Sequence, residues 1–280
     1  MNILLLCNRE RPGEREVMLE SAAILKDHGA FLYSAADEGV DYIERINPEE
    51  GIKVADALVV VGGDGSILSA ASLASKYEVP ILGINMGRLG FLSELEPEEI
   101  DLLSCLMKGK YTIERRMMLE ASIVRSGETV YTGHGLNDAV LTRGVGCKVM
   151  EFDIYADSQF IAKFRADGVI ISTPTGSTGY SMSAGGPIID PTEHNLTATP
   201  ICAHGLYAKS FVLASERVVT VGVRSLRSKS SVLSVDGRDD FPVLDDDLIV
   251  IKQSPFVTDM IKVKGGSVYD VIRDKFNYGI

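Results

Sequence analysis

A short apolar run that ends in a glycine-rich turn constrains this chain more than any other stretch. Residues 57–61 are Ala-Leu-Val-Val-Val, residues 62–65 are Gly-Gly-Asp-Gly, and an alanine- and serine-rich segment of helical character begins at Ile67. A strand, a glycine turn and a helix in this order bring bare backbone N–H groups up to a phosphate, because glycine adds no Cβ to the approach. The stretch therefore predicts either a phosphate site or a plain strand-to-helix turn.

Asp64 is the unusual residue of this turn. A carboxylate beside a polyphosphate is repelled unless it holds a metal ion or accepts a proton. The alternative is that Asp64 only caps the helix that follows. From these residues alone, both interpretations stay open.

Strands and helices alternate over the first part of the chain. The predicted strands are 3–7, 30–33, 57–61 and 79–84, and the predicted helices are 14–28, 40–46 and 67–77, with a further helix opened by Pro97. This alternation predicts right-handed βαβ units and a parallel sheet. Ligands of such sheets bind beyond the carboxyl ends of the strands, which is where residues 62–65 and 85–90 fall.

The pattern changes near residue 110, where short β-type stretches with turn signals begin and continue to about residue 264. They are 111–124, 130–141, 149–155, 160–164, 211–223 and 232–235. We therefore predict two domains. An α/β domain with a Rossmann-like parallel sheet covers residues 1–110, and a mostly β, sandwich-like domain covers residues 111–264. A short amphipathic helix is predicted at 267–276, so that residues 265–280 pack back on the first domain.

A second informative stretch is rich in hydroxyl groups. Nearly every residue from 172 to 183 is Gly, Pro, Ser, Thr or Tyr, and a buried-type strand leads directly into it. Such a loop offers hydroxyls and bare amides to a ligand, although the same composition also occurs in flexible linkers. The loop has no lysine and is therefore not a Walker A loop. Asp167, just before it, fits a ribose diol, because a carboxylate accepts from two hydroxyls, or is a turn residue.

Composition excludes several classes of function. The net charge is −11, with 28 basic and 39 acidic residues, which argues against a nucleic-acid partner. The cysteines are isolated, which favours a reducing compartment over a zinc or disulfide framework. No apolar run approaches the ~20 residues that span a bilayer, so we expect a cytoplasmic protein without a membrane partner. Leu68 stands where a dehydrogenase fingerprint has its third glycine.

Four motifs in this order resemble the bacterial NAD kinases. They are Gly-Gly-Asp-Gly at 62–65, Asn-Met-Gly-Arg-Leu-Gly-Phe-Leu at 85–92, Asn-Asp at 137–138, and the long stretch 167–187. The resemblance covers about residues 1–275. The first motif is shared with lipid kinases and phosphofructokinase-like enzymes, whereas the stretch 167–187 is far more specific.

The resemblance implies a reaction and its participants. The γ-phosphoryl group of ATP would pass to the 2′-hydroxyl of the adenosine ribose of NAD and give NADP. Mg²⁺ or another divalent cation would accompany ATP, and no residue is predicted as a dedicated metal ligand. The protein would be a homodimer or homotetramer whose small-molecule substrates are NAD and ATP.

Motif matching also implies site residues. Asp64 takes the position of the catalytic aspartate, with Gly65 beside the dinucleotide. Asn85 and Gly87 fall on the loop near the ATP phosphates. The full set of predicted binding residues is Asp64, Gly65, Asn85, Gly87, Asn137, Asp138, Lys148, Arg165, Asp167, Thr178, Gly179, Tyr180, Ser181, Met182 and Ser183.

The chain departs from the family pattern at a few of these motifs. Asp138 replaces the usual Glu, Ser66 and Gly179 replace a common Thr and Ala, and Ser69 stands where many relatives carry a basic residue or His. The shorter side chain of Asp138 reaches less far by one methylene. By the resemblance, the change at Ser69 affects one expected contact to the dinucleotide or its phosphates, but not the reaction.

Two alternatives to an NAD kinase follow from the same residues. A lipid or sphingoid kinase would share only the glycine turn, and it would need an apolar acceptor cavity in place of the hydroxyl-rich loop. A non-catalytic NAD sensor would bind the dinucleotide without turnover. Within the kinase interpretation, Asp64 is either the general base or a ligand of Mg²⁺.

Overall fold

A computed structural model describes residues 1–87, 90–144, 149–205, 208–224, 231–238 and 240–277. The predicted site residue Lys148 lies outside these ranges. The chain divides into two compact units. Unit 1 contains Met1–Arg115 and Val257–Ile280, and unit 2 contains Arg116–Phe256.

The elements alternate in the first part of the chain and are mostly strands in the second. The strands are β1 Asn2–Cys7, β2 Phe31–Ser34, β3 Ile43–Arg45, β4 Ala57–Val61, β5 Ile81–Ile84, β6 Thr112–Arg125, β7 Glu128–Gly135, β8 Asp138–Arg143, β9 Met150–Ala156, β10 Gln159–Ala166, β11 Gly168–Ser172, β12 Asn195–Ile201, β13 Phe211–Ala214, β14 Val219–Arg224, β15 Ser231–Val235, β16 Phe241–Val243 and β17 Leu248–Lys262. The α-helices are α1 Glu14–Asp27, α2 Pro48–Val54, α3 Asp64–Ala74, α4 Leu103–Met107, α5 Tyr180–Ser183 and α6 Val268–Asn277, and short 3-10 helices cover Ser75–Tyr77, Pro97–Leu102 and Thr175–Thr178.

Unit 1 is built on a parallel sheet, as the alternation of elements predicts. Its strand order is β5-β4-β1-β2-β3, and the last part of β17 pairs in parallel with β5. All five residues of β4 are buried, which is typical of a parallel strand covered on both faces. In α1, Met18, Ala22 and Leu25 form the buried apolar face that packs on this sheet.

The prediction of a helix at 40–46 is wrong. Ile43–Arg45 is instead a strand that pairs in parallel with β2. The next helix starts only at Pro48, because the side chain of Asn47 accepts a hydrogen bond from the backbone N–H of Glu49 and Pro48 occupies the first turn. The helix signal of this region therefore lies a few residues further along the chain.

Unit 2 is mostly β, which confirms the predicted class. One antiparallel sheet has the strand order β13-β12-β11-β8-β15-β16. Antiparallel pairing also joins β10, β9, β14 and β17, and β6 with β7. Side chains such as Phe152 of β9 and Ile171 of β11 belong to a single buried core, so the two sheets pack face to face.

Several predicted elements differ in detail. The predicted helix 67–77 begins earlier, at Asp64, and ends as a 3-10 helix. The predicted strand 211–223 is two strands, β13 and β14, and the loop 172–183 contains a 3-10 helix and one turn of α-helix. Over the described ranges, no helix has both the length and the apolar character that crossing a bilayer requires.

Candidate functional site

The glycine turn of unit 1 connects the carboxyl end of β4 to the start of α3. Gly62 has φ 155°, and a Cβ there would lie 2.5 Å from Oγ of Ser66. No atom lies within 4 Å of a Cβ built on Gly63 or Gly65, so the turn faces open space. No side chain caps the amino end of α3. Its first N–H groups are therefore available to an anion.

The carboxylate of Asp64 is held by the backbone that follows β5. Its two oxygens accept hydrogen bonds from the N–H groups of Phe91 at 3.0 Å and Leu92 at 3.1 Å. A side chain at Gly90 would collide with Oδ1 of Asp64, so this approach requires glycine. Gly63 is the N-cap residue and Asp64 is the first residue of the helix, so the capping interpretation of Asp64 is wrong.

Asn85 and Gly87 lie at the carboxyl end of β5. Asn85 is 1% exposed, and its amide donates to the Glu96 carboxylate at 3.0 Å and to the carbonyl of Gly87 at 3.4 Å. The side chain of Asn85 thus holds the loop in place from within unit 1. Its Oδ1 is buried and accepts no hydrogen bond from any residue that the structure describes.

A cavity of about 550 Å³ opens on the other flank of α3. One face of the helix lines it through the spacing i, i+3, i+4, i+7, with Ser66, Ser69, Ala70 and Leu73. The opposite wall comes from β1 and the loop after it. Because β4 lies between β1 and β5 in the sheet, the cavity and the bonds of the Asp64 carboxylate are on opposite sides of the glycine turn.

Arg11 brings a positive charge to this cavity. Its side chain is 60% exposed and lies 3.8 Å from the carboxylate of Glu14, which is almost fully buried. Glu14 also accepts the backbone N–H of Asn8 at 2.8 Å, so it fixes the loop that carries Arg11. An apolar floor, hydroxyls and one cation together suit a nucleotide better than a lipid tail.

Unit 2 holds Asn137 and Asp138 through Asp236, a residue that no sequence motif indicates. The buried carboxylate of Asp236 accepts hydrogen bonds from the backbone N–H groups of Leu136, Asn137 and Asp138 at 2.8, 2.8 and 3.1 Å. Asp236 and Gly237 both have positive φ, 52° and 64°. The Asp-Gly pair is a turn signal in the sequence, but nothing in the sequence names its partner about 100 residues away.

Asp138 is a buried acid beside a second acid. It is 6% exposed, and burial, followed by the negative charge of Asp236, raises the pKa of Asp138 to about 7. A carboxyl group of this kind exchanges its proton near neutral pH. It can therefore donate or accept a hydrogen bond toward a ligand.

The hydroxyl-rich loop uses most of its hydroxyls internally. Thr173 donates to the carbonyl of Leu136 at 2.5 Å, and Oγ of Ser177 donates to the carbonyl and accepts from the N–H of Ile189. Ser181, one of the predicted binding residues, is fully buried and pairs with Thr199 at 3.1 Å. These contacts fix the loop rather than present its hydroxyls to solvent.

The same loop lies directly against Asn137. A Cβ on Gly176 would collide with the backbone carbonyl of Asn137, and one on Gly179 would lie 3.5 Å from its side-chain nitrogen. Oδ1 of Asn137 is buried and has no hydrogen-bond partner within the described part of the chain. Unit 2 therefore brings Asn137, Asp138 and residues 176–179 together.

The other predicted residues of unit 2 differ in exposure and in their ion-pair partners. Tyr180 is 43% exposed and Ser183 is exposed, while Thr178 and Met182 are half-buried. Asp167 pairs with Arg143 at 3.0 Å, and Arg165 lies 3.7 Å from Glu151.

Comparison with known proteins identifies the family. Residues 3–111 match the model of the ATP-NAD kinase N-terminal domain, and residues 136–263 match that of the ATP-NAD kinase C-terminal domain. The chain is 43% identical over 234 residues to the NAD kinase of Carboxydothermus hydrogenoformans, with 83% of each protein covered. It is 35% identical to the NAD kinase of Natranaerobius thermophilus, with 98% of this chain and 97% of that protein covered. The chain belongs to the ATP-NAD kinase family.

Two solved structures share the fold. Yeast NADH kinase complexed with NADH superposes with a TM-score of 0.87 at 26% identity, covering 99% of this chain and 88% of the yeast chain. An NAD kinase from Archaeoglobus fulgidus in complex with ATP superposes with a TM-score of 0.72 at 26% identity, covering 99% of this chain and 98% of that one.

Proposed function

We propose that this protein is an NAD kinase that transfers the γ-phosphoryl group of ATP to the 2′-hydroxyl of the adenosine ribose of NAD. The observation that carries the proposal is the glycine turn of unit 1. There, two backbone N–H groups fix a carboxylate beside an uncapped helix start. Phosphoryl transfer depends mainly on positioning and charge neutralisation, and this arrangement supplies both.

In the proposed step, Asp64 is the general base. The 2′-oxygen forms a bond to the γ-phosphorus, and the bond from that phosphorus to the β,γ-bridging oxygen breaks. The hydroxyl proton passes to the carboxylate of Asp64, and ADP leaves. A positioned base of this type contributes roughly 10²–10⁴ in rate.

A divalent cation bound to ATP would neutralise charge on the phosphate oxygens. Within the described ranges, no three acidic, His or Cys side chains cluster to hold a metal ion by themselves. The phosphates and water would therefore supply most of its ligands, as is usual for Mg²⁺, and Asp64 is a protein carboxylate at the turn that could add one more. This second role of Asp64 is the rival to the role of general base.

We assign the donor and the acceptor to different parts of the chain. We assign the cavity that contains Arg11 and Ser69 to the donor ATP, since it combines an apolar floor with a cation at the carboxyl ends of the strands. We assign Asn137, Asp138 and the exposed residues of the hydroxyl-rich loop to NAD. Lys148, Arg165 and Asp167 stay part of this proposed set.

The direct test combines the purified protein with ATP, Mg²⁺ and NAD and measures NADP by an enzymatic cycling assay. We expect NADP to form in proportion to ADP. NAD binding without NADP would indicate the sensor, and the absence of NAD binding would reopen the lipid kinase. A parallel reaction with sphingosine or diacylglycerol vesicles as acceptor should give no labelled lipid from γ-labelled ATP.

The proposal also includes assembly and location. We propose a homodimer or homotetramer in the cytoplasm, in keeping with the family resemblance. Sedimentation of the purified chain tests the first of these. A sedimentation coefficient of a 30.3 kDa monomer at assay concentration would contradict it.

A further inference from the structure

The helix α6, at the end of the described chain, carries a lysine beside the glycine turn. Unit 1 contains α6, and Nζ of Lys275 lies 3.7 Å from the centre of the Phe91 ring. This is a cation–π contact at short range. The backbone N–H of the same Phe91 donates to the carboxylate of Asp64. Phe91 therefore contacts both residues: its ring lies against Lys275, and its backbone binds the proposed catalytic group, Asp64.

The ammonium of Lys275 has no anionic partner of its own among the residues that the structure describes. On the same helix, Arg273 is already paired with Asp270 at 2.8 Å. The charge of Asp64 nevertheless acts on Lys275. Burial lowers the pKa of Lys275, and the Asp64 carboxylate opposes that shift. An unpaired, half-buried ammonium next to a carboxylate is arranged to receive a third, anionic group.

The proposed reaction requires such a cation. Residues 62–75, which form the glycine turn and α3, contain no Lys, Arg or His, and the chain as a whole has a net charge of −11. Enzymes that transfer phosphoryl groups place Lys, Arg or a metal ion where negative charge develops on the phosphate. Arg11 lies on the other flank of α3, in the wall of the cavity, so it fits the nucleotide end of the donor rather than the side of Asp64.

We propose that Lys275 binds the transferred phosphoryl group beside Asp64 and stabilises the charge on its oxygens during transfer. This inference rests on the proposed kinase function and adds a residue from the far end of the chain to its active site. Lys275 does not accept the proton of the acceptor hydroxyl. That proton goes to Asp64. Its ammonium stays charged throughout and donates to oxygens of the same phosphoryl group before and after the bond to ADP breaks.

Three variants separate this role from packing. Lys275→Met keeps a long apolar side chain against Phe91 and removes the charge. Lys275→Arg keeps the charge. Arg273→Met is the matched control, because it removes a cation from the same helix whose partner is the exposed Asp270. We expect kcat to fall about 10²-fold in Lys275→Met, in line with the loss of one transition-state donor, and to recover largely in Lys275→Arg. The control should stay within about 2-fold of the wild type.

Binding measurements locate the contact on the γ-phosphoryl group. Calorimetry with a non-hydrolysable ATP analogue and with ADP, each with Mg²⁺ and without NAD, needs no turnover. Lys275→Met should weaken the ATP analogue about 10-fold and leave ADP within about 2-fold, because ADP lacks the group that Lys275 binds. Equal weakening of both, or of neither, would overturn the proposal.

The pH profile of kcat gives a readout that packing alone does not move. Lys275 must be protonated to bind the phosphoryl group, and Asp64 is the described charged group that acts on it. The wild-type rate should therefore fall as pH rises through the lowered pKa of Lys275. In Lys275→Arg this fall should move to higher pH, because a guanidinium stays charged.

The failure of this inference is distinguishable from failure of the proposed function. A wild-type protein that forms no NADP refutes the function, whatever Lys275 does. A wild-type protein that forms NADP, together with a Lys275→Met variant whose kcat equals that of Arg273→Met, refutes only the role of Lys275. A lower melting temperature with unchanged kcat would assign Lys275 to packing alone.

Discussion

The glycine turn of unit 1 and the hydroxyl-rich loop of unit 2 use their polar groups in opposite ways. The glycine turn leaves the amino end of α3 uncapped and keeps Gly63 and Gly65 open. The hydroxyl-rich loop binds most of its hydroxyls to itself or to its neighbours. A polar sequence therefore indicates a ligand site only where the fold leaves its N–H, C=O or hydroxyl groups without a hydrogen-bond partner.

The largest effect is expected at the open turn. In Asp64→Asn, kcat should fall about 10³-fold, because an amide cannot accept the hydroxyl proton. If Asp64 is the base, calorimetry should find ATP–Mg²⁺ binding unchanged. Metal-dependent ATP binding that falls together with kcat would assign Asp64 to the metal instead. An active variant would refute both roles.

A second prediction tests the closed loop through its backbone. Gly176→Ala should destabilise unit 2 by about 2–3 kcal/mol, because its Cβ meets the carbonyl of Asn137. Gly179→Ala is the matched control, since the nearest atom to its Cβ is the carbonyl oxygen of Gly176 at 3.3 Å. Urea unfolding measures both. Equal stability of the two variants would show that the loop is not closely packed on Asn137.

The third prediction uses the buried acid next to this loop. Because the folded-state pKa of Asp138 is raised to about 7, its protonated form stabilises the fold below about pH 4, and this contribution is lost as pH rises to about 7. Asp138→Asn should remove this loss of stability, which amounts to about 1.4 kcal/mol for each unit by which the pKa of Asp138 is raised. The difference in unfolding free energy between variant and wild type at several pH values measures it, with the exposed Asp240→Asn as control. A difference independent of pH would contradict the shift.

The smallest expected effect concerns the flank of α3 assigned to ATP. Ser69→Leu fills part of the cavity from an exposed position, so the KM for ATP should rise about 5-fold while the KM for NAD stays unchanged. Ser72→Leu, on the same helix but outside the cavity lining, is the control. A rise in the KM for NAD alone would contradict this assignment and indicate that the dinucleotide binds on this flank of α3.

Sequence patterns predicted those elements that depend on neighbouring residues, such as apolar runs and glycine turns. The apolar run of β4 and the glycines after it correctly predict a buried parallel strand followed by a turn of the kind that binds phosphate. The prediction of a helix at 40–46 was wrong because Asn47 and Pro48 fix the start of the helix at Pro48. Their capping preference outweighs the weak apolar pattern of the preceding residues. Element boundaries therefore depend on single capping residues more than on periodicity.

Long-range contacts in the candidate site were not predictable from one sequence. Asp236 meets the backbone of residues 136–138 from about 100 positions away, and Lys275 meets Phe91 from the last described helix. The resemblance named Asn137 and Asp138 but not the carboxylate that holds them. It also could not show that Ser181 is buried against Thr199 while Tyr180 faces solvent. These long-range partners are determined by tertiary packing, which cannot be read from the order of residues in one sequence.

The hydrogen bonds from Phe91 and Leu92 to Asp64 have a practical consequence for trapping substrate complexes. A variant at position 64 loses its reactive group and also one of the acceptors that hold residues 90–92, so its loop would differ from that of the working enzyme. Gly90 adds to this, because a side chain at that position would collide with the Asp64 carboxylate. A change at Lys275 leaves both backbone hydrogen bonds of Asp64 in place, so it disturbs residues 90–92 less than a change at position 64 does.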